Sequence, residues 1–331
     1  MTDIPPTMRA IRVHTKGGSD VLRLDTIPVS APDKGQALVR VEAAGVNFID
    51  VYKRTGMYKI PLPSTLGEEG AGTVVAVGDD AGDIRPGNRV AWALVTGAYA
   101  DYAIVRADRL VPIPANVSTH LAAAMMLQGM TAHYLATSTY PVKEGDTCLV
   151  HAAAGGVGLL LVQIAKMRGA TVIGTAGSEE KADLARSAGA DHMIVYTKQD
   201  FVAEVKRITN GSGVNVVYDS VGLTTFMGGL DVLKPRGTMA LFGQSSGAVP
   251  ALDPQILNQK GSLFLTRPTL AHYALTREEL LWRSTELFNW VERGKLDVRI
   301  GAEYPLEEVA SAHDALEGRR TTGKVLIRIS S

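Results

Sequence analysis

The sequence predicts an α/β protein of two domains, one a doubly wound parallel sheet of Rossmann type and the other β-rich. Three observations carry this. Strand-like runs alternate with helical ones through the middle of the chain, as in a parallel sheet with crossover helices. The first third instead alternates apolar and polar residues over short runs, as half-buried strands do. The length, 331 residues, exceeds the usual span of one hydrophobic core.

The elements follow in order. Ala37 to Ala43 (ALVRVEA) alternates apolar and polar; Gly72 to Val77 (GTVVAV) and Arg89 to Leu94 (RVAWAL) are further strand runs bounded by Gly or Asp. Ile84 to Arg89 places a Pro-Gly turn between them. In the middle, Cys148 to His151 forms a short apolar strand that enters Ala152 to Gly158 (AAAGGVG) and then a helix from Leu159 to Arg168. Thr171 to Thr175 is the next strand. Ser178 to Ala188 is a helix with Ser178 as N-cap and Glu179 and Glu180 in its first turn, where the helix dipole favours acids. Met193 to Tyr196, Val214 to Tyr218 and Thr238 to Phe242 complete the strand series. After about Thr266 the alternation stops: Glu278 to Arg293 and Val309 to Glu317 read as helices and Lys324 to Ile329 (KVLIRI) as a terminal strand. A terminal strand needs a sheet to join, and the β-rich first third is the expected host. The division is expected at residues 1–126 with 268–331 for a discontinuous β-rich domain, and 127–267 for the domain of the parallel sheet.

Composition narrows the function. Lys+Arg and Asp+Glu are equal at 34 each, so no general attraction to nucleic acid or to an anionic membrane is expected. The single cysteine, Cys148, excludes an intramolecular disulfide and a cysteine-rich metal site. Met1 to Ala10 lacks the apolar core of a signal peptide, and the longest apolar runs, such as Gly156 to Ala165, are too short to span a bilayer. A reducing cytoplasm is the expected location. The seven histidines, His14, His120, His133, His151, His192, His272 and His313, are scattered and read as packing or surface residues.

Ala153-Ala154-Gly155-Gly156-Val157-Gly158 is a variant of the dinucleotide fingerprint, with Ala153 in place of the first glycine. Gly155 and Gly156 let the backbone approach a pyrophosphate beside Val157, and Gly158 permits close helix–strand packing. The phosphates then meet the helix N-terminus. The competing reading is a tight turn with no ligand; the strand before, the helix after and the second strand at the right distance favour the cofactor. An NAD enzyme places an acid at the end of that second strand for the ribose 2′-hydroxyl. Here Thr175-Ala176-Gly177-Ser178 carries none, while Ser178 offers a hydrogen bond and Lys181 a charge suited to a 2′-phosphate. NADPH is the expected cofactor. Glu179 and Glu180 admit two readings, as solvated helix charges or as ribose ligands.

Gly67-Glu68-Glu69-Gly70-Ala71-Gly72 resembles the G-H-E-x-x-G motif of the zinc alcohol dehydrogenases in the medium-chain dehydrogenase/reductase superfamily, with Glu68 where their zinc-binding histidine stands. Ala44 to Asp50 (AGVNFID) resembles the segment carrying their first zinc cysteine, and Asn47 occupies that place. With these ligands gone, no metal is expected. The departures are similar to the quinone oxidoreductase branch, which includes the zeta-crystallins, and most of all to bacterial NADPH:quinone reductases. The resemblance rests on AAGVNFIDVY (Ala43 to Tyr52), HAAAGGVG (His151 to Gly158), VVYDSVG (Val216 to Gly222), FGQSSGAV (Phe242 to Val249) and ILNQKGSLFLTRP (Ile256 to Pro268).

The resemblance implies a GroES-like β-rich catalytic domain and a Rossmann domain, with the cofactor in the cleft between. It implies catalytic roles for Asn47, Tyr52 and Tyr58 beside the nicotinamide, although Tyr58 also reads as an exposed loop aromatic. It implies cofactor contacts from Thr131 and Tyr134, at a helix start; from Gly177, Ser178, Lys181 and Tyr196 around the 2′-phosphate; from Ser220; from Phe242, Gly243, Gln244 and Ser245; and from Leu265, Arg267 and Arg319, the last also readable as a solvated charge beside Arg320. The implied reaction is direct hydride transfer from NADPH to a quinone. The implied assembly is a homodimer paired through the strand near Ser262 to Thr266, since an unpaired apolar edge invites association. Two rivals stand: an alkenal or enone reductase, and a non-catalytic nucleic-acid-binding or crystallin-like structural protein.

Overall fold

The computed structural model describes residues 4–329. The chain divides into two compact units, residues 1–127 with 274–331, and residues 128–273.

The first unit is built on a seven-stranded sheet. Gln36–Val46 is its spine, antiparallel to Glu69–Val77 on one side and to Lys324–Arg328 on the other, with Val325 opposite Val46. The terminal strand thus joins the β-rich sheet, as its pattern requires. Ile300–Pro305 extends this edge in parallel, Arg89–Ala93 and Val111–Pro112 extend the opposite one, and Tyr102–Arg106 also pairs with Gln36–Val46. A separate three-stranded sheet orders Leu22–Pro28, Thr7–Val13 and Ser64–Thr65. The core between holds Trp92, Tyr99, Val39, Val41, Leu66 and Ile327, all buried.

The second unit is a six-stranded, all-parallel sheet. Its spatial order is His192–Val195, Thr171–Ala176, Thr147–Val150, Val214–Asp219, Leu233–Leu241 and Phe264–Thr266. Numbered along the chain, that order is 3-2-1-4-5-6, the arrangement of a dinucleotide-binding sheet. The strands read as near-continuous apolar runs because helices cover both faces. One strand starts earlier than its sequence pattern indicates. Pro235-Arg236-Gly237 reads as a turn, yet the strand runs from Leu233, with Val214 opposite Leu233 and Val216 opposite Thr238. The residues between bulge out, and Arg236 takes a positive φ of 62° to do so.

One placement is corrected. Thr131 and Tyr134 were expected at the start of a helix. They lie in its last turns, since the helix runs Thr119–Tyr134 and continues into a wider turn, Leu135–Thr139. Ala122 to Met126 (AAAMM) is a wholly buried apolar run, so no amphipathic stripe marks where the helix begins.

Candidate active site and cofactor-binding turn

The glycine turn closes the first strand of the parallel sheet. Thr147–Val150 ends, Ala152 takes a positive φ of 51°, and Gly155 caps the helix Gly156–Met167. The first-turn N–H groups of Gly156, Val157 and Gly158 have no intrahelical acceptor, and no acid in that turn neutralises the positive helix end. A Cβ on Gly158 would lie 2.3 Å from the Ala152 carbonyl oxygen, so only glycine allows this approach. Ala153, standing in for the first glycine, is fully buried. Its methyl group is accommodated by Gly174 on the neighbouring strand, where a Cβ would sit 2.8 Å from that of Ala153. The turn therefore fits a pyrophosphate.

The residues expected around the 2′-phosphate come together. Ser178 caps the helix Glu179–Ser187 and its hydroxyl oxygen accepts the Lys181 N–H at 3.3 Å. Tyr196 lies over Gly177, where a Cβ would be 2.8 Å from the tyrosine hydroxyl. Thr197 Oγ1 donates to the Gly177 carbonyl at 3.1 Å. Glu179 is held at the surface by Lys198 at 3.3 Å and by Arg186 at 3.9 Å, while Glu180 is exposed. Both acids are exposed on the first turn of the helix.

The two later loops also meet. Ser245 N–H donates to the Ser220 carbonyl at 3.2 Å, and Gly243 packs against Ser220 so closely that a Cβ would be 2.5 Å from its carbonyl oxygen. Phe242 N–H donates to the Asp219 carbonyl at 2.8 Å, and Gln244 lies against Gly222. Sequence reasoning missed the organiser of this loop. The buried carboxylate of Asp219 accepts the N–H groups of Val221 (2.7 Å) and Gly222 (3.0 Å) and the Thr225 hydroxyl. Tyr134 is buried and stacks on Tyr273, ring centroids 4.4 Å apart, and Thr131 is buried beside it on the helix. Leu265 is exposed on the last strand, and Arg267 just beyond it is exposed too. Arg319 belongs to the first unit, exposed after the helix Val309–Glu317 with a positive φ of 55°.

In the first unit, Asn47, Tyr52 and Tyr58 gather around the helix Phe48–Thr55. Asn47 is its N-cap, and its N–H donates to Asp50 Oδ2 at 3.0 Å. Tyr52 is buried and meets Phe48 and Tyr58, the latter edge-on at 5.4 Å. Tyr58 is 38% exposed, so it borders solvent as its loop position implied.

Below this aromatic group lies a buried polar cluster. The Asn47 amide donates to Glu69 Oε2 at 2.9 Å and to the Gly45 carbonyl at 3.2 Å, and its oxygen accepts from Lys324 Nζ at 2.9 Å. Lys324 also pairs with Glu69, both groups being almost fully buried. Burial pulls Lys324 below the usual lysine range, against the attraction of Glu69. Glu69 Oε1 accepts the Leu127 N–H at 2.6 Å. Beside it, Glu68 accepts from Lys53 and from the Thr96 hydroxyl. Asp50 accepts the N–H groups of Gly67 (3.2 Å) and Glu68 (3.1 Å) and the Tyr99 hydroxyl (3.2 Å). Burial, then repulsion from Glu68, pushes the Asp50 carboxyl up to about 7. The chain of contacts continues from Tyr99 to His313 Nε2 (3.4 Å) and from Arg54 to His313 Nδ1 (3.3 Å). An arginine that can only donate assigns Nδ1 as acceptor, hence neutral histidine; burial and Arg54 push His313 down to about 3.

The residues at the two metal positions do not fit a zinc ion. The Asn47 carboxamide is engaged by Glu69 and Lys324, and the Glu68 carboxylate by Lys53, so a cation there would face two ammonium groups. Among the described residues, no group of three or more His, Cys, Asp or Glu side chains is arranged to hold a metal. The sequence motifs marked Asn47 and Glu68 and contained Asp50 and Glu69 without giving them a role; Lys53 and Lys324 escaped them. A lysine opening the apolar terminal strand was the one signal that could have found Lys324.

A GroES-like sheet unit together with a 3-2-1-4-5-6 dinucleotide sheet and this glycine turn defines a medium-chain dehydrogenase/reductase. Comparison with known proteins agrees. Residues 33–115 match the family described as alcohol dehydrogenase GroES-like domain, and residues 156–282 the family described as zinc-binding dehydrogenase. The chain is 46% identical over 321 residues to quinone oxidoreductase 1 of Escherichia coli, covering 96% of this chain and 98% of the relative. It is 43% identical over 327 residues to a 2-haloacrylate reductase of Burkholderia, covering 95% and 97%. The crystal structure of Escherichia coli quinone oxidoreductase complexed with NADPH matches with a TM-score of 0.95 at 44% identity, covering 97% of this chain and 100% of that one. The chain belongs to the quinone oxidoreductase branch of the medium-chain dehydrogenase/reductase superfamily.

Proposed function

We propose that this protein is an NADPH-dependent quinone reductase that works by direct hydride transfer without a metal. The observation that carries the reading is the near full-length identity of 46% to a quinone oxidoreductase, joined to an intact phosphate turn. When bound, NADPH supplies the hydride. The helix end at Gly156 to Gly158 holds the pyrophosphate. Ser178, Lys181 and Tyr196 take the 2′-phosphate, and the engagement of Glu179 by Lys198 and Arg186 supports that preference by keeping its charge occupied. Ser220, Phe242, Gly243, Gln244 and Ser245 complete the loops along the cofactor, with Thr131, Tyr134, Leu265 and Arg267. Tyr52 and Tyr58 offer a flat aromatic face to a quinone ring, and Asn47 fixes the start of their helix.

Titration with NADPH and NADH, followed by turnover of 1,4-benzoquinone and of an α,β-unsaturated ketone, tests this. Tighter binding of NADPH and faster turnover of the quinone are expected. A second reading, reduction of a conjugated C=C bond, has the likeness to 2-haloacrylate reductase in its favour, and preference for the enone would select it. Failure to bind NADPH together with salt-sensitive RNA binding would select a non-catalytic role instead.

The reading extends to assembly and location. The last strand, Phe264–Thr266, is an edge of its sheet with Phe264 61% exposed, which supports a homodimer joined edge to edge. No helix among the described residues is long and apolar enough to cross a membrane. A cytoplasmic site is part of the same proposal, and it fits a buried thiol at Cys148.

A further inference from the structure

We propose that Lys53 is a catalytic residue of this reaction: its ammonium stabilises the oxygen anion formed when the quinone is reduced and delivers the proton to it. The inference rests on the functional reading above.

Lys53 lies on the same short helix as Tyr52, one residue on, with its side chain 16% exposed. An ammonium group has three N–H donors. Here one is taken by the buried Glu68 carboxylate and a second by Thr96 Oγ1 at 3.0 Å. The third has no acceptor among the described residues. Thr96 in turn donates to Glu68, so carboxylate, hydroxyl and ammonium fix one another in a three-membered ring of contacts. An exposed ion pair needs no such scaffold and contributes little to stability; a mostly buried one is poor value as a stabiliser. What the arrangement does provide is a positioned cation with one donor left over, held against Glu68 at the place where the zinc enzymes have a metal ligand, on the helix that also carries Tyr52. The acceptor that suits it is a carbonyl oxygen on a flat, apolar ring that gains negative charge during the reaction.

The quinone accepts a hydride with its electron pair, the donor's C–H bond breaking, and becomes a hydroquinone monoanion. The new oxygen anion takes a proton from the Lys53 ammonium, and the O–H bond forms as the N–H bond breaks. The amine left behind regains a proton from water at its exposed side.

The test compares Lys53→Met, Lys53→Arg and the double variant Lys53→Met/Glu68→Gln with the unmodified protein. The double variant removes both members of the pair, so a folding loss from a buried lone carboxylate in the single variant does not obscure the result. Three quantities are read: melting temperature with NADPH affinity, kcat/KM for 1,4-benzoquinone at saturating NADPH, and affinity of the NADP⁺-loaded protein for 4-nitrophenolate as a stable phenoxide. In the double variant NADPH affinity and melting temperature stay near those of the unmodified protein, while kcat/KM falls roughly 100-fold, the usual effect of removing one oxyanion donor. Phenolate binding weakens roughly tenfold, and Lys53→Arg, which keeps the charge, restores the binding more than the turnover. Unchanged turnover and phenolate binding in both Lys53→Met variants would overturn the assignment alone. Absence of turnover of benzoquinone and of enone by the unmodified protein would overturn the functional reading and this assignment with it.

Discussion

Gly158 shows how little room the cofactor turn leaves at single residues. Replacing it with alanine drives a methyl group into the Ala152 carbonyl, which lies 2.3 Å from the Cβ position. Because the obstacle is backbone, the turn must open. A loss of roughly 1–3 kcal/mol in stability is expected, the usual range for overpacking, together with weaker NADPH binding; urea unfolding and fluorescence titration check the two. The buried cluster yields a pH prediction. Asp50 titrates near 7 in the folded protein and near 4 when unfolded, so the folded state holds the extra proton between these values. Stability from this group therefore falls as pH rises from about 4 to 7. His313 runs the other way: titrating near 3 when folded and near 6.5 when unfolded, it adds stability as pH rises through that window. The two slopes oppose each other between about 4 and 6.5. Asp50→Asn should leave a stability that climbs with pH there, and His313→Asn one that declines, both read from urea midpoints at several pH values. None of this was legible in the sequence. The motif located Asn47 and Glu68, but pairing across 277 residues, as between Asn47 and Lys324, leaves no local pattern.

At the scale of elements, caps and periods carried most of the information. Ser178 and the acids after it announced a helix start, and the structure puts Ser178 at the cap. The long helix Arg277–Glu292 has a capping box that was equally available: the Thr276 hydroxyl oxygen accepts the Glu279 N–H at 3.1 Å, and Glu279 accepts the Thr276 N–H at 3.2 Å. Thr276→Ala should cost about 1 kcal/mol of stability without altering NADPH affinity, as denaturant titration would show. Where periodicity failed, burial explains it. The helix Thr119–Tyr134 has no polar side to mark its turns, so nothing in the local pattern corrects the resemblance, which implies a helix start at Thr131 and Tyr134. The strand Leu233–Leu241 was cut short because Pro235 and Gly237 carry turn chemistry that a bulge absorbs.

For the whole molecule, alternation of strand and helix against runs of strand was enough to name both sheet types, because the period of burial differs between a sheet covered on both faces and one covered on one. Strand order was not written in any single segment. Association is the property most exposed to test at this scale. Phe264→Lys puts a charge on the free edge strand and should convert a dimer to monomers in light scattering, with NADPH binding retained. The position of Lys324 has another consequence, for how the protein is made. Residues 128–273 are continuous and can fold as soon as they leave the ribosome. The first unit cannot finish then. The middle of its sheet, beside Gln36–Val46, waits for Lys324–Arg328, which are translated after the whole of the nucleotide unit. Until the lysine arrives, Glu69 lacks its ammonium partner. The unit begun before the nucleotide sheet is thus completed after it, and a chain stalled before residue 324 would carry one finished sheet and one open sheet.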